Sequence, residues 1–467
     1  MRKFIEILFY TFPISFILGN LAVTLYTLIF IIASLFFIRK ERLVSRFRNS
    51  YWILIIFFLY ISLLTIIHYQ DIEILRTLLY QDPGLLNTKT PARSLEDNSI
   101  FKSLLLLRYV VLIFVIDTLF FNKILNLKKF FLFSLLCTSF VSLDIIVQYI
   151  FGFDLFGFKG GSVRNSGPFG DEMIAGGYLQ RFFFFSLFSI FVIFEKKNFK
   201  NPLLIFFITI HSAAIFLAGN KMPLLLFIFG CFLIIMFFKN LRIIMSLGMI
   251  GFLAVFIILY KSNTEIHGTY KNFLGNILPI FGGNIERQVT DTSKQEQITD
   301  SNKVEKKETK PFFLRGSGHP YIYYNAILVW QKQPLFGFGL KSFRIKCWEN
   351  LTNNTMMLYT KNTNKLYLAC ANHAHNYYLE FLSETGIIGF ILMITFFIIL
   401  WKDFFHYFIK YKHKINSETI LLVPIVITLF LEIWPLKSTG SFFTNWTATF
   451  FWLTTALLFA NKTKRSI

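Results

Sequence analysis

Long apolar stretches along the chain alternate with short basic ones. Twelve stretches read as helices able to cross ~30 Å of hydrocarbon, for which ~20 residues are needed. They lie at roughly 4–18, 19–38, 51–67, 101–121, 130–150, 173–194, 202–218, 222–238, 243–260, 387–401, 419–435 and 442–460. The pattern predicts an all-α polytopic membrane protein with about 12 transmembrane helices, because a helix satisfies its own backbone hydrogen bonds in lipid. The first two stretches meet at Gly19-Asn20, with room only for a short turn. Arg2 and Lys3 lead into the first without a small-residue cleavage site, so it is expected to stay as an uncleaved helix.

Basic clusters fill alternate loops: Arg39-Lys40-Glu41-Arg42 through Arg48, Lys123 to Lys129, Lys196 to Lys200, Lys239 to Arg242, Lys402 to Lys414, and Lys462-Thr463-Lys464-Arg465. Short cytoplasmic loops collect Lys and Arg, so both termini are expected in the cytoplasm. Three longer loops then face the other side, at 68–100, 151–172 and about 261–386. The chain divides accordingly into helices 1–9 (1–260), a large loop between helices 9 and 10 (261–386), and helices 10–12 (387–467). Within the loop, 284–311 has almost no apolar residues and reads as a mobile insert. Residues 312–386 read as an ordered helical cap. There Tyr321 to Lys332 has helical apolar spacing and Pro334 to Phe343 (PLFGFGLKSF) forms a glycine-punctuated turn.

Composition agrees with this reading, the 467 residues being 55% hydrophobic with mean hydropathy +0.56. A net charge of +21 would point to nucleic acid in a soluble protein. Here it faces anionic lipid and sets orientation, so no nucleic-acid partner is expected. Cys137 and Cys231 fall in apolar helices and read as small hydrophobic residues. Cys347 and Cys370 precede His375 on the non-cytoplasmic side. In an oxidising compartment they would form a disulfide worth ~3 kcal/mol on the chain-entropy model; the other reading is two free thiols.

Common chemistries lack their signatures. The sequence has no G-x-x-x-x-G-K-[ST], H-E-x-x-H, G-x-S-x-G or Asp-x-Asp, and Asp71-Ile72-Glu73 reads better as solvated loop than as a metal site. Ionisable residues in the spans are scarce, Asp117, Asp144 and Glu432 being the notable ones. That counts against a transporter, which usually carries charge at the midplane. The outer side instead carries Arg164, Lys221, Arg315, His319, Lys341, Arg344, His373 and His375. Any one of these cations could be an interfacial side chain snorkelling to headgroups. As a set they could converge on one anion, and a lipid-linked diphosphate at headgroup depth suits Arg/Lys clamping.

His375 is the base candidate, because an imidazole with a pKa near 6.5 keeps a neutral fraction that can take a hydroxyl proton. Asn376 could orient a sugar or cap a helix. His373 beside His375 suggests a metal pair, but no carboxylate or cysteine cluster completes a site, so no cofactor is expected. If one continuous helix runs from His375 to Gly386, those eleven residues make about three turns and share a face.

His375-Asn376, nine residues, then Gly386-x-x-Gly389 resembles the H-[NSQ]-x9-G-x-x-G pattern of the O-antigen ligase and polymerase family. The other landmarks fall in order: Arg164 with Gly167 and Phe169, Gly219-Asn220-Lys221, Ser317-Gly318-His319, and the Pro334 to Phe343 turn. The resemblance implies a GT-C-like glycosyltransferase of lipopolysaccharide biosynthesis in the bacterial inner membrane, with its site on the periplasmic face. It implies metal-independent, inverting transfer of an undecaprenyl-diphosphate-linked glycan to lipid A-core or another glycan acceptor. His375 would be the base. Arg164, Lys221, Arg315, His319, Arg344 and Asn376 would bind substrate, and Gly386 and Gly389 would be structural. Lys221 and His319 depart from the pattern, standing where arginines are common. Ligase is favoured over polymerase, and a lipid-linked sugar flippase or transporter is the alternative from another class.

Overall fold

The structure is a computed structural model that describes residues 1–45, 47–80, 99–277, 319–353, 370–411 and 420–463. The insert expected at 284–311, together with Arg315, lies outside the described residues. Those described are helical apart from turns and one isolated bridge between Phe153 and Lys159.

In chain order the helices are α1 (Arg2–Tyr10), α2 (Phe12–Ile17), α3 (Asn20–Lys40), α4 (Ser50–Ile67), α5 (Tyr69–Tyr80), α6 (Ser99–Leu105), α7 (Arg108–Phe121), α8 (Leu127–Phe151) and α9 (Ala175–Ile193). There follow α10 (Lys200–Leu217), α11 (Lys221–Phe237), α12 (Lys239–Ser262), α13 (Thr264–Ile277), α14 (His319–Lys332), α15 (Phe343–Asn353), α16 (Tyr377–Tyr411), α17 (Val423–Glu432) and α18 (Asn445–Thr463).

Eight helices among the described residues are long and apolar enough to cross a membrane: α3, α4, α6–α7, α8, α9, α10, α12 and the Tyr377–His406 part of α16. The protein is therefore multi-pass. All twelve apolar stretches are helical, but they do not all reach spanning length. The stretch 4–18 is two short helices that break at Thr11, just before Pro13, and α17 has 10 residues.

Burial orders the bundle. The most hydrophobic window of α9 is 78% buried and that of α12 only 22%, so α9 is central and α12 peripheral. Phe182, Phe183, Phe184 and Phe185 of α9 point to every side and are all buried, as a helix hydrophobic all round must be. Phe182 packs on Phe450 of α18, and Phe183 on Phe227 of α11. On α12, Ile243, Ile250, Leu253 and Ile258 are exposed, a face suited to acyl chains.

The cap has a smaller core of its own. Ile322, Ala326 and Val329 of α14 pack with Phe343, Ile345 and Trp348 of α15, the Cys347–Cys370 disulfide and Ala374. Asn325 Nδ2 donates to the Cys347 carbonyl at 3.3 Å, which ties α14 to the disulfide.

Candidate active site

Asn376 starts α16. Its Oδ1 accepts from the backbone N–H of Tyr378 and Leu379 at 3.0 and 3.3 Å, the usual role of an Asn helix cap. Its Nδ2 donates to the carbonyls of Pro435 and Lys437 at 2.8 and 3.1 Å. The same α17–α18 loop holds the histidine before it, since the Thr439 N–H donates to the His375 carbonyl at 2.9 Å. His375 has φ +52°, a left-handed conformation that a non-glycine residue adopts at a cost of order 1 kcal/mol or more. The loop's grip on both residues opposes that cost.

Three imidazoles meet here. The ring centroid of His375 lies 4.1 Å from that of His373 and 4.9 Å from that of His319, the first residue of α14. The start of α14 and the segment leading into α16 thus each supply part of one cluster. Burial lowers all three pKa values: His375 to about 4, with the His319 charge adding to the effect, His373 to about 3, and His319 also downward. At neutral pH the rings are uncharged and His375 can accept a proton. They do not form a metal-ligand set, since no group of three or more His, Cys, Asp or Glu among the described residues is placed to hold an ion.

The condition for a shared face, a helix continuous from His375 to Gly386, is not met. Gly386 has φ +60° and ψ −168°, outside any helical region, so His375 and Gly386 share no continuous face. The break receives the glycine turn: the N–H of Ile387 donates to the Pro334 carbonyl at 2.9 Å, and that of Gly339 to the Glu384 carbonyl at 2.8 Å. A Cβ on Gly386 would sit 2.4 Å from the Leu335 carbonyl oxygen, and one on Gly337 2.5 Å from that of Glu384. Two backbones therefore cross at glycine distance. At Gly389 a Cβ would press on the side chains of Thr385 and Tyr60.

The first half of α16 carries carboxylates that the sequence reading passed over. Glu380 and Glu384, one turn apart, are both buried. Glu384 accepts from the Lys341 N–H at 2.8 Å, and Glu380 from the Phe442 N–H at 2.7 Å. Lys341 and Arg344 interact electrostatically with both, and the Arg344 charge also reaches His373. Arg344 thus interacts with both the carboxylates and one of the histidines.

A second ionic centre lies below. Glu432 Oε1 is 2.5 Å from Arg181 Nε, an ion-pair contact off the line of that N–H, while Arg181 Nη2 donates at 3.4 Å to Oε2. Lys437 Nζ and the Tyr377 hydroxyl donate to the same Oε2 at 2.9 and 3.2 Å. Arg181 is in the phenylalanine-rich α9 and Lys437 in the α17–α18 loop, so only the fold reveals Glu432's partners.

Arg164 and Lys221 form another pair, near enough for their like charges to interact. Lys221 Nζ also lies 4.9 Å from the Phe273 ring centroid. Neighbouring Asn220 accepts from the Gly176 N–H at 3.0 Å and fixes this corner to the first turn of α9. Of the residues singled out in sequence, His319, His373, His375 and Arg344 come together, while Arg164 and Lys221 form a separate group.

Residues 203–394 match the family model described as O-antigen ligase. This stretch is an O-antigen ligase family domain. It runs from α10 to the second half of α16 and takes in Lys221, the cap, the histidine cluster and both motif glycines. No curated protein matches the chain. The protein is thus a multi-pass membrane protein that carries an O-antigen ligase family domain.

Proposed function

We propose that the protein transfers a glycan from a lipid-linked diphosphate donor, of the undecaprenyl type, to an acceptor hydroxyl such as one on lipid A-core. The carrying observation is the His375 ring held 4.9 Å from that of His319 and 4.1 Å from that of His373, with the Arg344 charge reaching His373. His375 takes the proton of the attacking hydroxyl. The acceptor oxygen bonds to the anomeric carbon from the face opposite the diphosphate, the carbon–oxygen bond to phosphate breaks, and the lipid diphosphate leaves with the electron pair. That displacement inverts the anomeric centre. Arg164 and Lys221, with Arg315, are the donor clamp in this reading, and Asn376 serves the histidine by fixing its loop.

The topology proposed with it places both termini in the cytoplasm and the histidines on the periplasmic side of the inner membrane, as the alternate basic loops suggest. The reaction as drawn uses no metal. Polymerisation uses the same chemistry with a lipid-linked glycan as acceptor.

In vesicles supplied with lipid-linked donor and core acceptor, His375→Ala should lose transfer by two to four orders of magnitude, a range about that of general-base catalysis. The variant should still be recovered in the membrane. Full activity would remove the base from His375. Polysaccharide from a deletion strain separates the two acceptors: loss of a ligase leaves long polymer on the carrier, and loss of a polymerase leaves single units on the core.

A further inference from the structure

An open cavity of about 390 Å³ lies at the C-terminal end of α8, between that helix, the loop after it and the start of α13, walled in part by Gln148, Tyr149, Gly160, Gly161, Ser162 and Asn263. We propose that it is a subsite for uncharged sugars of the lipid-linked donor, those beyond the sugar whose anomeric carbon reacts. The inference rests on the glycosyl-transfer reading and adds to it the place of the donor's glycan.

Three observations converge. The first is the chemistry of the lining. None of the residues around the cavity is charged, which suits a ligand that presents hydroxyls and no charge. Asn263 caps α13, its Oδ1 accepting from the N–H of Glu265 and Ile266 at 3.0 and 3.1 Å, so its amide is fixed in one orientation. Neither the Asn263 Nδ2 nor the Tyr149 hydroxyl has a partner among the described residues. The wall therefore holds a few uncommitted polar groups, the usual means of orienting a small ligand.

The second is that the cavity is built in advance. Gln148 Oε1 accepts from the Gly167 N–H at 2.7 Å and its Nε2 donates to the Phe158 carbonyl at 3.1 Å, which holds the loop against α8. A Cβ on Gly160 would sit 2.6 Å from Asn165 Oδ1 and 2.7 Å from Gln148 Cγ, so the loop closes this tightly only around a glycine. The Ser162 hydroxyl donates to Glu265 and ties the loop to α13.

The third is position. The wall continues into the proposed donor clamp, because the Gly161 N–H donates to the Arg164 carbonyl at 3.1 Å. Helix α13 gives the separation from the other member of the clamp: Asn263 caps it, and Phe273, ten residues on, has its ring 4.9 Å from Lys221 Nζ. Ten residues of helix measure about 15 Å. A donor whose diphosphate is held by Arg164 and Lys221 thus reaches the cavity with the sugars after its first.

The test uses the full-length protein in vesicles, one acceptor, and two lipid-linked diphosphate donors, one carrying a single sugar and one carrying several uncharged sugars. Asn263→Asp keeps the helix cap and replaces the free amide nitrogen by an acceptor oxygen. Tyr149→Phe removes only a hydroxyl and provides a second variant should the first fail to fold. Each should raise KM for the longer donor about three- to tenfold, the effect of losing one neutral hydrogen bond. KM for the single-sugar donor and for the acceptor should stay unchanged. An equal rise for the single-sugar donor or for the acceptor overturns the proposal, and so does unchanged KM for the longer donor in both variants. A wild type with the same KM for both donors overturns it too, since a subsite for further sugars must favour the longer chain. Failure of the wild type to transfer from either donor would instead overturn the glycosyl-transfer reading.

Discussion

At the scale of single residues, the buried imidazole sets a pH signature. The folded pKa of His375, lowered to about 4 from an ordinary 6.5, keeps the ring neutral across the pH range in which a solvated histidine would protonate. The acid limb of kcat/KM, which reports the free enzyme, should therefore lie well below pH 6.5. The limb of kcat should lie higher, because a bound diphosphate favours the imidazolium. A pH–rate profile with varied donor measures both, and a kcat/KM limb at 6.5 would show a solvated base instead. Stability follows the same sign. The unfolded histidines take up protons below about 6.5 while folded His373 and His375 do not, so stability falls as pH drops from 6.5 towards 4.

At the scale of elements, the docking of the glycine turn into the broken α16 makes Gly386 a sensitive position. Gly386→Ala forces a Cβ to 2.4 Å from the Leu335 carbonyl and imposes a backbone conformation costing about 1–3 kcal/mol even without the clash. It should lower Tm and activity together. Gly268→Ala, in α13 with nothing within 4 Å of the added carbon, should leave both nearly unchanged. Thermal unfolding in detergent compares the two. The disulfide is a second element-scale device. Reducing Cys347–Cys370, 23 residues apart, should cost about 3 kcal/mol and loosen the segment leading into His373. Tm with and without reductant, against a Cys347→Ser/Cys370→Ser control that should not respond, reads this effect. The hydrophobic runs made the helices legible because lipid demands length and apolarity, both local properties. The spacing His375 to Gly386 was legible too, but its geometry was not. A glycine that ends a helix and one that packs inside it look alike until the Pro334–Phe343 turn is seen seated in the break.

At the scale of the whole molecule, what sequence could not supply was the pairing of charges distant along the chain. Glu380 and Glu384 give no signal in the sequence because their partners Lys341 and Arg344 lie some forty positions earlier, and Arg181 disappears among phenylalanines. Glu432 was visible as a charge within an apolar run, and the fold explains it as the point where α9, α16 and the α17–α18 loop are joined. That loop also holds His375 and Asn376, so the ion centre and the proposed base share one support. Glu432→Gln would leave Arg181 and Lys437 buried without their counter-charge. Removing one partner of a buried ionic group costs about 3–5 kcal/mol. The carboxylate does not touch the reacting atoms in this arrangement, so its loss should act on the fold and on the His375 loop rather than on proton transfer. Glu432→Gln should therefore lower Tm sharply and reduce kcat while leaving the acid limb of kcat/KM in place. Arg181→Met combined with Glu432→Gln removes two of the three charges and should restore part of the stability lost in the single variant. If the double variant were less stable than Glu432→Gln alone, the Arg181–Glu432 ion pair would not be what joins α9 to the loop behind His375.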